Sequence, residues 1–356
     1  MKAARLYGAR DLRVEQIDDP RPGPGEALIR IEACGVCPSD VRGYTGAGRA
    51  VGGNLPRTPG HEWTGIIEAL GPPLGEGDGA PSVRVDESRG AAAIEVGDRV
   101  VADWRYVCGR CYQCRRGVFN YCESLRRAVR GGFAQLGVAP LSQLRGIPDN
   151  VSFEEASFTE PLACILNAHS GTRIDVGDDV VIVGTGPIGL LHTQLALRRG
   201  ARVIVSDPIA ARLETARELG AHDTIDASAG DPVERVKELT DGRGADCVIA
   251  AVGAPEPIRQ ALQMGAINGR VQLFAGTYPP TELPFDPNLV HYRQLVVTGS
   301  HDFTPHHFST ALKLITHGIV RVEPLISHRF DLDDVRDAFE MAANRGGLKS
   351  MVLPVG

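Results

Sequence analysis

The stretch Val180-Val181-Ile182-Val183-Gly184-Thr185-Gly186-Pro187-Ile188-Gly189 decides the fold of the middle of this chain. An apolar run that leads into G-x-G-x-x-G and then into a helix is typical of a dinucleotide-binding βα turn. Gly184 permits a tight turn, Gly186 lets the backbone approach a pyrophosphate, and Gly189 lets the helix pack closely on the strand. The stretch therefore predicts a parallel βαβ unit that binds a dinucleotide.

The residues after this turn indicate which dinucleotide is bound. Pro187 and Ile188 begin a helix whose free N–H groups favour phosphate. Asp207 ends the next predicted strand, where a carboxylate accepts hydrogen bonds from ribose hydroxyls and repels a 2′-phosphate. This favours NAD, although Asp207 could also simply start a turn before Pro208. Arg212, about one helical turn further on, would soften the preference, so NADP stays an alternative.

Strands and helices alternate through the middle of the chain, which predicts a parallel sheet with right-handed crossovers. The strand-like segments are short and apolar, and the helical segments show apolar residues at helical spacing. The predicted strands are Asp179–Gly184, Arg202–Asp207, Asp246–Val252 and Gly269–Ala275, and the predicted helices are Ile188–Gly200 and Ile209–Leu219.

The first 150 residues are instead β-rich, with short apolar segments separated by Gly and Pro clusters. Predicted strands there include Ala27–Glu32, Thr64–Ala69 and Arg99–Asp103. The Gly-, Pro- and Ala-rich stretch at 72–93 predicts a surface loop or mobile hairpin without assignable chemistry. After about residue 295, strand-like and helix-like patterns are mixed. Helices are predicted there at Pro305–Ile315 and Leu332–Arg345.

Four cysteines follow the pattern Cys108-x2-Cys111-x2-Cys114-x7-Cys122. Thiolates at this spacing can turn onto a single tetrahedral zinc ion. The alternative is two disulfides or four unrelated cysteines, but a Cys-x2-Cys pair lies too close in sequence for an easy structural disulfide. A site closed by four thiolates leaves no position for a substrate, so this zinc is expected to be structural.

A second set of residues has the composition of a catalytic zinc site. Cys37, His61 and Glu62 supply a thiolate, an imidazole and a carboxylate, and Glu160 adds another carboxylate. Three protein ligands with one open position are what a catalytic zinc needs. Taken singly, these are ordinary residues, since a lone Cys is usually a small hydrophobe. Their occurrence together with the four-cysteine segment and the glycine motif favours a second zinc ion.

Composition and charge narrow the function classes. The 356 residues are 43% hydrophobic and 23% charged, as in soluble globular proteins, and suffice for two domains. A net charge of −6 argues against a nucleic-acid partner. There is no apolar run long enough for a bilayer and no secretory signal, so no membrane association is expected. Eight cysteines in such a chain indicate a reducing, cytoplasmic setting.

Taken in order, these motifs resemble the zinc-containing medium-chain dehydrogenase/reductase family, and within it the polyol branch with sorbitol and threonine dehydrogenases. The resemblance covers nearly the whole chain. It implies an α/β fold with two domains. A GroES-like, β-rich catalytic domain would comprise residues 1–152 and 299–356, with the structural-zinc lobe at about 104–124. A Rossmann domain, a doubly wound parallel sheet, would comprise residues 153–298.

The resemblance also assigns roles to individual residues. Cys37 and His61 match zinc ligands, and Glu62 and Glu160 compete for the third protein position, where one of them could bind through water. Ser39 matches the hydroxyl that takes the proton from the zinc-bound alcohol. The four clustered cysteines match the structural-zinc lobe.

Two departures from the family pattern stand near Cys37. Pro38 replaces the usual glycine and stiffens the loop beside the metal. Arg42 stands where many members have a histidine that ends the proton relay, and arginine cannot act as a base at neutral pH. The relay would then end at solvent, or Arg42 would hold a cofactor phosphate. Cys34 and Cys164 match no ligand position and are interpreted as packing residues.

The function implied is hydride transfer between NAD and a secondary alcohol of a polyol, sugar or aminocyclitol, with two Zn²⁺ per chain. Alternatives are an NADPH-dependent carbonyl reductase of a specialised biosynthetic pathway, and a non-catalytic zinc-bearing dinucleotide-binding protein. The family also implies a homodimer or homotetramer joined partly through Gln294–Gly299. By analogy, polar groups of Tyr44, Trp63, Glu160 and His301 would suit a hydroxyl-rich substrate.

Overall fold

The computed structural model describes residues 1–47, 55–73, 94–127 and 131–355, so most of the predicted 72–93 loop lies outside the described residues. The chain forms two compact units. The first comprises Met1–Ala163, Phe303–His317 and Ile326–Gly356, and the second comprises Cys164–Asp302 and Gly318–Leu325. The domain limits expected from the sequence are 152/153 and 298/299, whereas these units divide at 163/164 and 302/303, and Gly318–Leu325 also belongs to the second unit.

Strands dominate the first unit and alternate with helices in the second. The strands are β1 (Lys2–Gly8), β2 (Asp11–Gln16), β3 (Glu26–Gly35), β4 (Glu62–Leu70), β5 (Arg99–Ala102), β6 (Arg105–Tyr106), β7 (Arg126–Arg127), β8 (Leu136–Pro140), β9 (Leu144–Gly146), β10 (Asp179–Val183), β11 (Arg202–Asp207), β12 (Asp223–Asp226), β13 (Ala245–Ala250), β14 (Gly265–Leu273), β15 (Val296–Gly299), β16 (Ile326–Asp331) and β17 (Lys349–Leu353).

The helices of the described residues are mostly short. They are α1 (Pro38–Thr45), α2 (Tyr112–Arg115), α3 (Phe153–Ser157), α4 (Thr159–Gly171), α5 (Pro187–Arg198), α6 (Ala210–Glu218), α7 (Pro232–Leu239), α8 (Pro255–Met264), α9 (Pro287–Arg293), α10 (Pro305–Thr316) and α11 (Val335–Ala343). Within the described ranges, none of them combines the length and the apolar character that crossing a bilayer requires.

The first unit is built on a seven-stranded sheet with the order β16-β17-β3-β4-β5-β9, in which β8 also pairs with β3. Strand β3 alternates inward and outward, and its inward residues Ala27, Ile29 and Ile31 are fully buried. Its antiparallel partner β4 approaches closely at Gly65, where a Cβ atom would lie 2.0 Å from the carbonyl oxygen of Arg30. This glycine therefore keeps the two central strands paired.

The register of β3 and β4 determines which residues meet at the edge of this sheet. Gly35, the last residue of β3, lies opposite Glu62, the first residue of β4. Antiparallel strands place the end of one beside the start of the next. The segment that follows β3 and the segment that precedes β4 are thereby brought together.

The second unit has a six-stranded, all-parallel sheet with the order β12-β11-β10-β13-β14-β15. Strand β10 is buried along its whole length, as expected of a central parallel strand covered by helices on both faces. Gly184 follows it with φ +94°, and a Cβ on Gly189 would lie 1.8 Å from the Gly184 carbonyl oxygen. The predicted strand, tight turn and close helix packing are confirmed, and so is the α/β fold class.

The predicted helix at the C-terminus is wrong at both ends. Residues Leu332–Asp334 form a 3₁₀ turn, and α11 spans only Val335–Ala343. The carboxylate of Asp333, in this turn, accepts from Lys2 Nζ at 3.0 and 2.7 Å. Helix α7 was not among the predicted helices, although Asp231 is a strong start signal whose Oδ1 accepts the N–H of Val233 at 2.9 Å.

Two histidines are buried together inside the second unit. The Nε2 of His169 lies 3.0 Å from the Nδ1 of His192, and the rings stack 18° from parallel. The remaining nitrogens, His169 Nδ1 and His192 Nε2, have no hydrogen-bond partner within the described residues. Burial lowers the pKa of His192 to about 3 and holds the pKa of His169 well below its usual value.

The buried pair predicts acid-sensitive stability. Below an unfolded-state pKa of about 6.5, the unfolded chain binds protons that the folded chain does not, so stability falls as pH falls toward 3, by about 1.4 kcal/mol per pH unit for each histidine. His192→Gln should reduce the pH dependence of the free energy of unfolding between about pH 6 and pH 4, measured by urea titrations. His317→Gln, at an exposed position, is the control. Equal slopes in both variants would contradict the prediction.

Candidate functional site

The glycine-rich turn of the second unit has the geometry of an anion site. Helix α5 begins with Gly186 as its N-cap and Pro187 in its first turn, and no side chain caps its free N–H groups. Unpaired N–H groups at a helix start point toward and stabilise a phosphate. Because Gly186 has no side chain, a ligand can approach the backbone closely at this point.

Asp207 lies at the end of β11 and is 5% exposed. Its Oδ2 accepts the N–H of Thr185 at 2.7 Å, and its Oδ1 accepts the N–H of Ile209 at 2.9 Å. The carboxylate thus ties the glycine-rich turn to β11 and also forms the turn that follows. A carboxylate has about four acceptor positions, so capacity remains for a ribose hydroxyl.

Arg212 lies close to the same turn. Its Nη1 is 3.8 Å from where a Cβ of Gly186 would stand. The structure therefore brings a carboxylate, Asp207, and a guanidinium to one glycine-rich turn. The first favours an unmodified ribose and the second favours a phosphate.

The four clustered cysteines converge within the first unit. The sulfurs of Cys108, Cys111, Cys114 and Cys122 all lie within 4.8 Å of one another, and every cysteine of the chain is a free thiol. Backbone N–H groups of Cys111 and Cys114 point at the sulfurs of Cys108 and Cys111, each at 3.4 Å. Donation from the N–H groups of Arg110 and Cys111 lowers the pKa of Cys108 to about 6. Four convergent sulfurs with thiolate-stabilising donors fit a closed tetrahedral zinc site.

A second cluster forms where β3 ends and β4 begins. The ligand atoms of Cys37, His61 and Glu62 lie within 4.8 Å of one another. Cys37 is the N-cap of α1, two residues after the end of β3, and Glu62 is the first residue of β4. The Oε1 of Glu62 is buried without a hydrogen-bond partner among the described residues. Sulfur, imidazole and an unsatisfied carboxylate oxygen are a donor set that fits zinc.

Asp40 orients the histidine of this cluster. Its Oδ2 lies 3.5 Å from His61 Nδ1, and its two oxygens also accept the N–H groups of Gly60 and Cys37. Burial works against charge on both partners, but their attraction prevails, so the pKa of Asp40 is lowered and the pKa of His61 is raised well above its usual value. A carboxylate on Nδ1 leaves Nε2 as the nitrogen that is turned toward a metal.

Glu62 is paired with a lysine that the sequence analysis did not single out. Lys349, the first residue of β17, makes an ion pair with Glu62 Oε2, and the two residues are 4% and 1% exposed. Burial alone would lower the pKa of Lys349, but the charges of Glu62 and Cys37 raise it. The partner lies almost 290 residues away in sequence, and no local pattern signals it.

Glu160 lies on the Nε2 side of His61. It belongs to the first turn of α4, it is 7% exposed, and its Oε1 is 3.9 Å from His61 Nε2. The same oxygen accepts the indole N–H of Trp104 at 3.1 Å. Glu62 and Glu160, the two carboxylates expected near the metal, therefore both lie beside His61. Glu62 is paired with Lys349, and Glu160 accepts from Trp104.

The other predicted residues divide into two groups. Ser39 and Arg42 lie half-buried on α1, in its first and last turns. Tyr44 and Trp63 are buried in the hydrophobic core, so the expectation that they present polar groups to a substrate is wrong. The hydroxyl of Tyr44 donates to Glu340 at 2.6 Å instead.

Comparison with known proteins gives the family of the chain. The family model of the alcohol dehydrogenase GroES-like domain matches residues 23–149, and that of the zinc-binding dehydrogenases matches residues 187–317. A sorbitol dehydrogenase of Halalkalibacterium halodurans is 31% identical over 98% of this chain and 97% of its own. An L-threonine 3-dehydrogenase of Pyrococcus abyssi is 33% identical over 96% and 94%.

The fold of this chain is similar to that of a solved structure over nearly its whole length. A protein of Sinorhizobium meliloti 1021 described as a zinc-binding dehydrogenase, bound to NADP, superimposes with a TM-score of 0.88 at 32% identity over 99% of both chains. This chain belongs to the zinc-type medium-chain dehydrogenase/reductase family, which confirms the resemblance. It is an NAD(P)-dependent alcohol dehydrogenase of the zinc-dependent kind, and it acts on a small molecule.

The buried ion pair makes a prediction about stability. Lys349→Met would leave Glu62 charged and unpaired in the core, which costs about 3–5 kcal/mol. Urea unfolding of the metal-free protein, in which no zinc ion compensates Glu62, should show a drop in the free energy of unfolding of this order. The double variant Lys349→Met, Glu62→Gln removes both charges and should recover most of it. A single variant as stable as the parent would show that the ion pair is not formed.

Proposed function

We propose that this enzyme oxidises a secondary alcohol of a polyol, sugar or aminocyclitol with NAD, using two zinc ions per chain. One observation carries the proposal: Cys37, His61 and two carboxylates lie together in the same chain as a glycine-rich dinucleotide turn. The relatives are named for hydroxyl-bearing substrates, sorbitol and threonine. A small, hydroxyl-rich alcohol is the class that these names have in common.

At the proposed catalytic site, Cys37 and His61 hold the metal, and Glu62 or Glu160 completes the protein ligands. Zinc held there supplies Lewis acidity that lowers the pKa of a substrate hydroxyl. Asp40 keeps His61 in one orientation and one tautomer. The second zinc is bound by Cys108, Cys111, Cys114 and Cys122, and it stabilises the lobe around them.

The remaining residues bind the cofactor and move the proton. Ser39 is proposed to relay the proton of the substrate hydroxyl by accepting it while passing its own hydroxyl proton on toward solvent, since it lies two residues after Cys37 in the first turn of α1. The pyrophosphate binds the N–H groups at the start of α5, which Gly184, Gly186 and Gly189 make accessible. Asp207 accepts from the ribose, and Arg42 is proposed to hold a phosphate.

A second candidate is carbonyl reduction with NADPH. The position of Arg212 beside Gly186 favours it, and a similar protein was solved with NADP. The carboxylate of Asp207 opposes it, because a 2′-phosphate at this place would meet a buried negative charge. The non-catalytic alternative is not supported, since the relatives that define the family are named dehydrogenases.

The proposed reaction predicts metal content and activity together. The zinc-loaded protein should hold two zinc ions per chain by elemental analysis and reduce NAD faster than NADP with a polyol, sugar or cyclitol, measured by near-ultraviolet absorbance. Cys37→Ser should hold one zinc ion and lose about 1000-fold or more in kcat/KM, because Lewis acidity is worth several kcal/mol. Cofactor binding without a second zinc would contradict the dehydrogenase mechanism, and faster reduction of a carbonyl by NADPH would favour the second candidate.

We further propose that the enzyme is a homodimer joined through the edge of the second unit's sheet. Strand β15 is an edge strand within the described residues, and its Val296 and Val297 are 56% and 40% exposed. Beside it lies an apolar groove of about 600 Å³, lined by Leu273, Leu283 and Phe285 among others. An exposed apolar edge strand is a ready template for pairing with another chain.

The proposed interface predicts the assembly in solution. Light scattering after gel filtration should give twice the chain mass at micromolar concentration, or four times if dimers pair further. Val297→Lys should shift the protein toward the monomer, because a buried lysine in an apolar interface is strongly unfavourable. Ile319→Lys, another partly exposed aliphatic position of the same unit, is the control. A monomeric parent protein would exclude this interface.

A further inference from the structure

Trp104 contacts the carboxylate that lies beside the histidine of the metal cluster. Its indole N–H donates to Glu160 Oε1 at 3.1 Å, and that same oxygen lies 3.9 Å from His61 Nε2. The Trp104 ring also meets the His61 ring edge-on, with centroids 6.0 Å apart and planes 69° apart. One side chain therefore fixes the carboxylate and borders the imidazole.

The two neighbours of Trp104 hold it in place. Asp103 and Arg105 are each 1% exposed and bind one another: Arg105 N and Nε donate to Asp103 Oδ1 at 3.0 and 3.2 Å. The guanidinium of Arg105 also donates to the carbonyl oxygen of Phe303 and lies 3.4 Å over its ring centroid. With both flanking side chains buried and bonded, the backbone of Trp104 has little freedom, and the hydrogen bond to Glu160 orients its indole.

The chemistry of the donor distinguishes Glu160 from Glu62. Glu62 is paired with the cation of Lys349, which compensates its charge. Trp104 offers a neutral N–H that can only donate, so it fixes an oxygen of Glu160 without cancelling the negative charge. An oxygen that accepts one hydrogen bond keeps a second lone pair for another partner. Glu160 therefore keeps its negative charge while its Oε1 is held 3.9 Å from His61 Nε2.

We propose that Trp104 is a positioning residue that holds Glu160 against the proposed catalytic zinc and so sets the affinity for this ion. The inference rests on the proposed function, because it assumes that zinc binds to Cys37 and His61. Hydrogen-bond partners that orient metal-binding carboxylates typically contribute 10- to 100-fold in metal affinity. Glu160 acts on the metal, and Trp104 acts through Glu160.

Trp104→Phe tests the inference, because it removes the N–H and keeps an aromatic ring. The zinc affinity of both sites is measured by competition with a chromophoric chelator. Trp104→Phe should weaken the Cys37 site by roughly 10- to 100-fold and leave the four-cysteine site unchanged. The visible absorption spectrum of the cobalt-substituted protein should also shift, because the carboxylate beside the ion changes its orientation. In a Glu160→Ala background, Trp104→Phe should have no further effect on affinity.

Trp63→Phe is the matched control, since Trp63 is the other tryptophan and its buried indole N–H has no hydrogen-bond partner in the described part of the chain. It should lower the thermal midpoint and leave zinc affinity unchanged. The inference is overturned if Trp104→Phe stays within twofold of the parent, or if its effect persists without Glu160. A parent protein that binds zinc only at the four cysteines would overturn the proposed function as well.

Discussion

The antiparallel register of β3 and β4 is the constraint on which the candidate metal centre depends. Gly35 faces Glu62, so the turn after one strand and the turn before the other meet at one edge of the sheet. Cys37 and His61 are brought together by this pairing, although 24 residues separate them in sequence. A slip of one residue would send every side chain of a strand to the opposite face. Close contacts such as that at Gly65 specify the register of β3 and β4. This register determines both the packing of the core and the position of the metal-ligand residues.

Three buried carboxylates surround the imidazole of His61, and each has a different partner. Asp40 pairs with His61 itself, Glu62 pairs with Lys349, and Glu160 accepts from Trp104. A buried carboxylate needs a partner, because burial penalises its charge. The partner decides how much of the charge remains for a bound cation. The site therefore places three carboxylates with different hydrogen-bond or ion-pair partners around one histidine.

The features that depend on short stretches of sequence could be predicted from the sequence. The strand and glycine turn of β10 and α5 have a strict order of residue types, and the four cysteines have a fixed spacing. The partners of Glu62 and Glu160 could not be predicted, because Lys349 and Trp104 reach them only through the sheet and the loop after β5. The expectation that Tyr44 presents its hydroxyl to a substrate is wrong for the same reason. That hydroxyl donates to Glu340, almost 300 residues away in sequence. These side chains are fixed by partners that are distant in sequence, and a local sequence pattern does not predict such partners.

One chain is proposed to hold two zinc ions of different kinds, one enclosed by four cysteines and one where β3 ends and β4 begins. Anomalous diffraction from crystals of the zinc-loaded protein, collected on both sides of the zinc absorption edge, tests it most directly. Two anomalous peaks per chain are expected. One should lie within bonding distance of the four cysteine sulfurs, and the other within bonding distance of Cys37 Sγ and His61 Nε2. A single peak at the four cysteines, with the Cys37 cluster empty in crystals grown with excess zinc, would contradict the account.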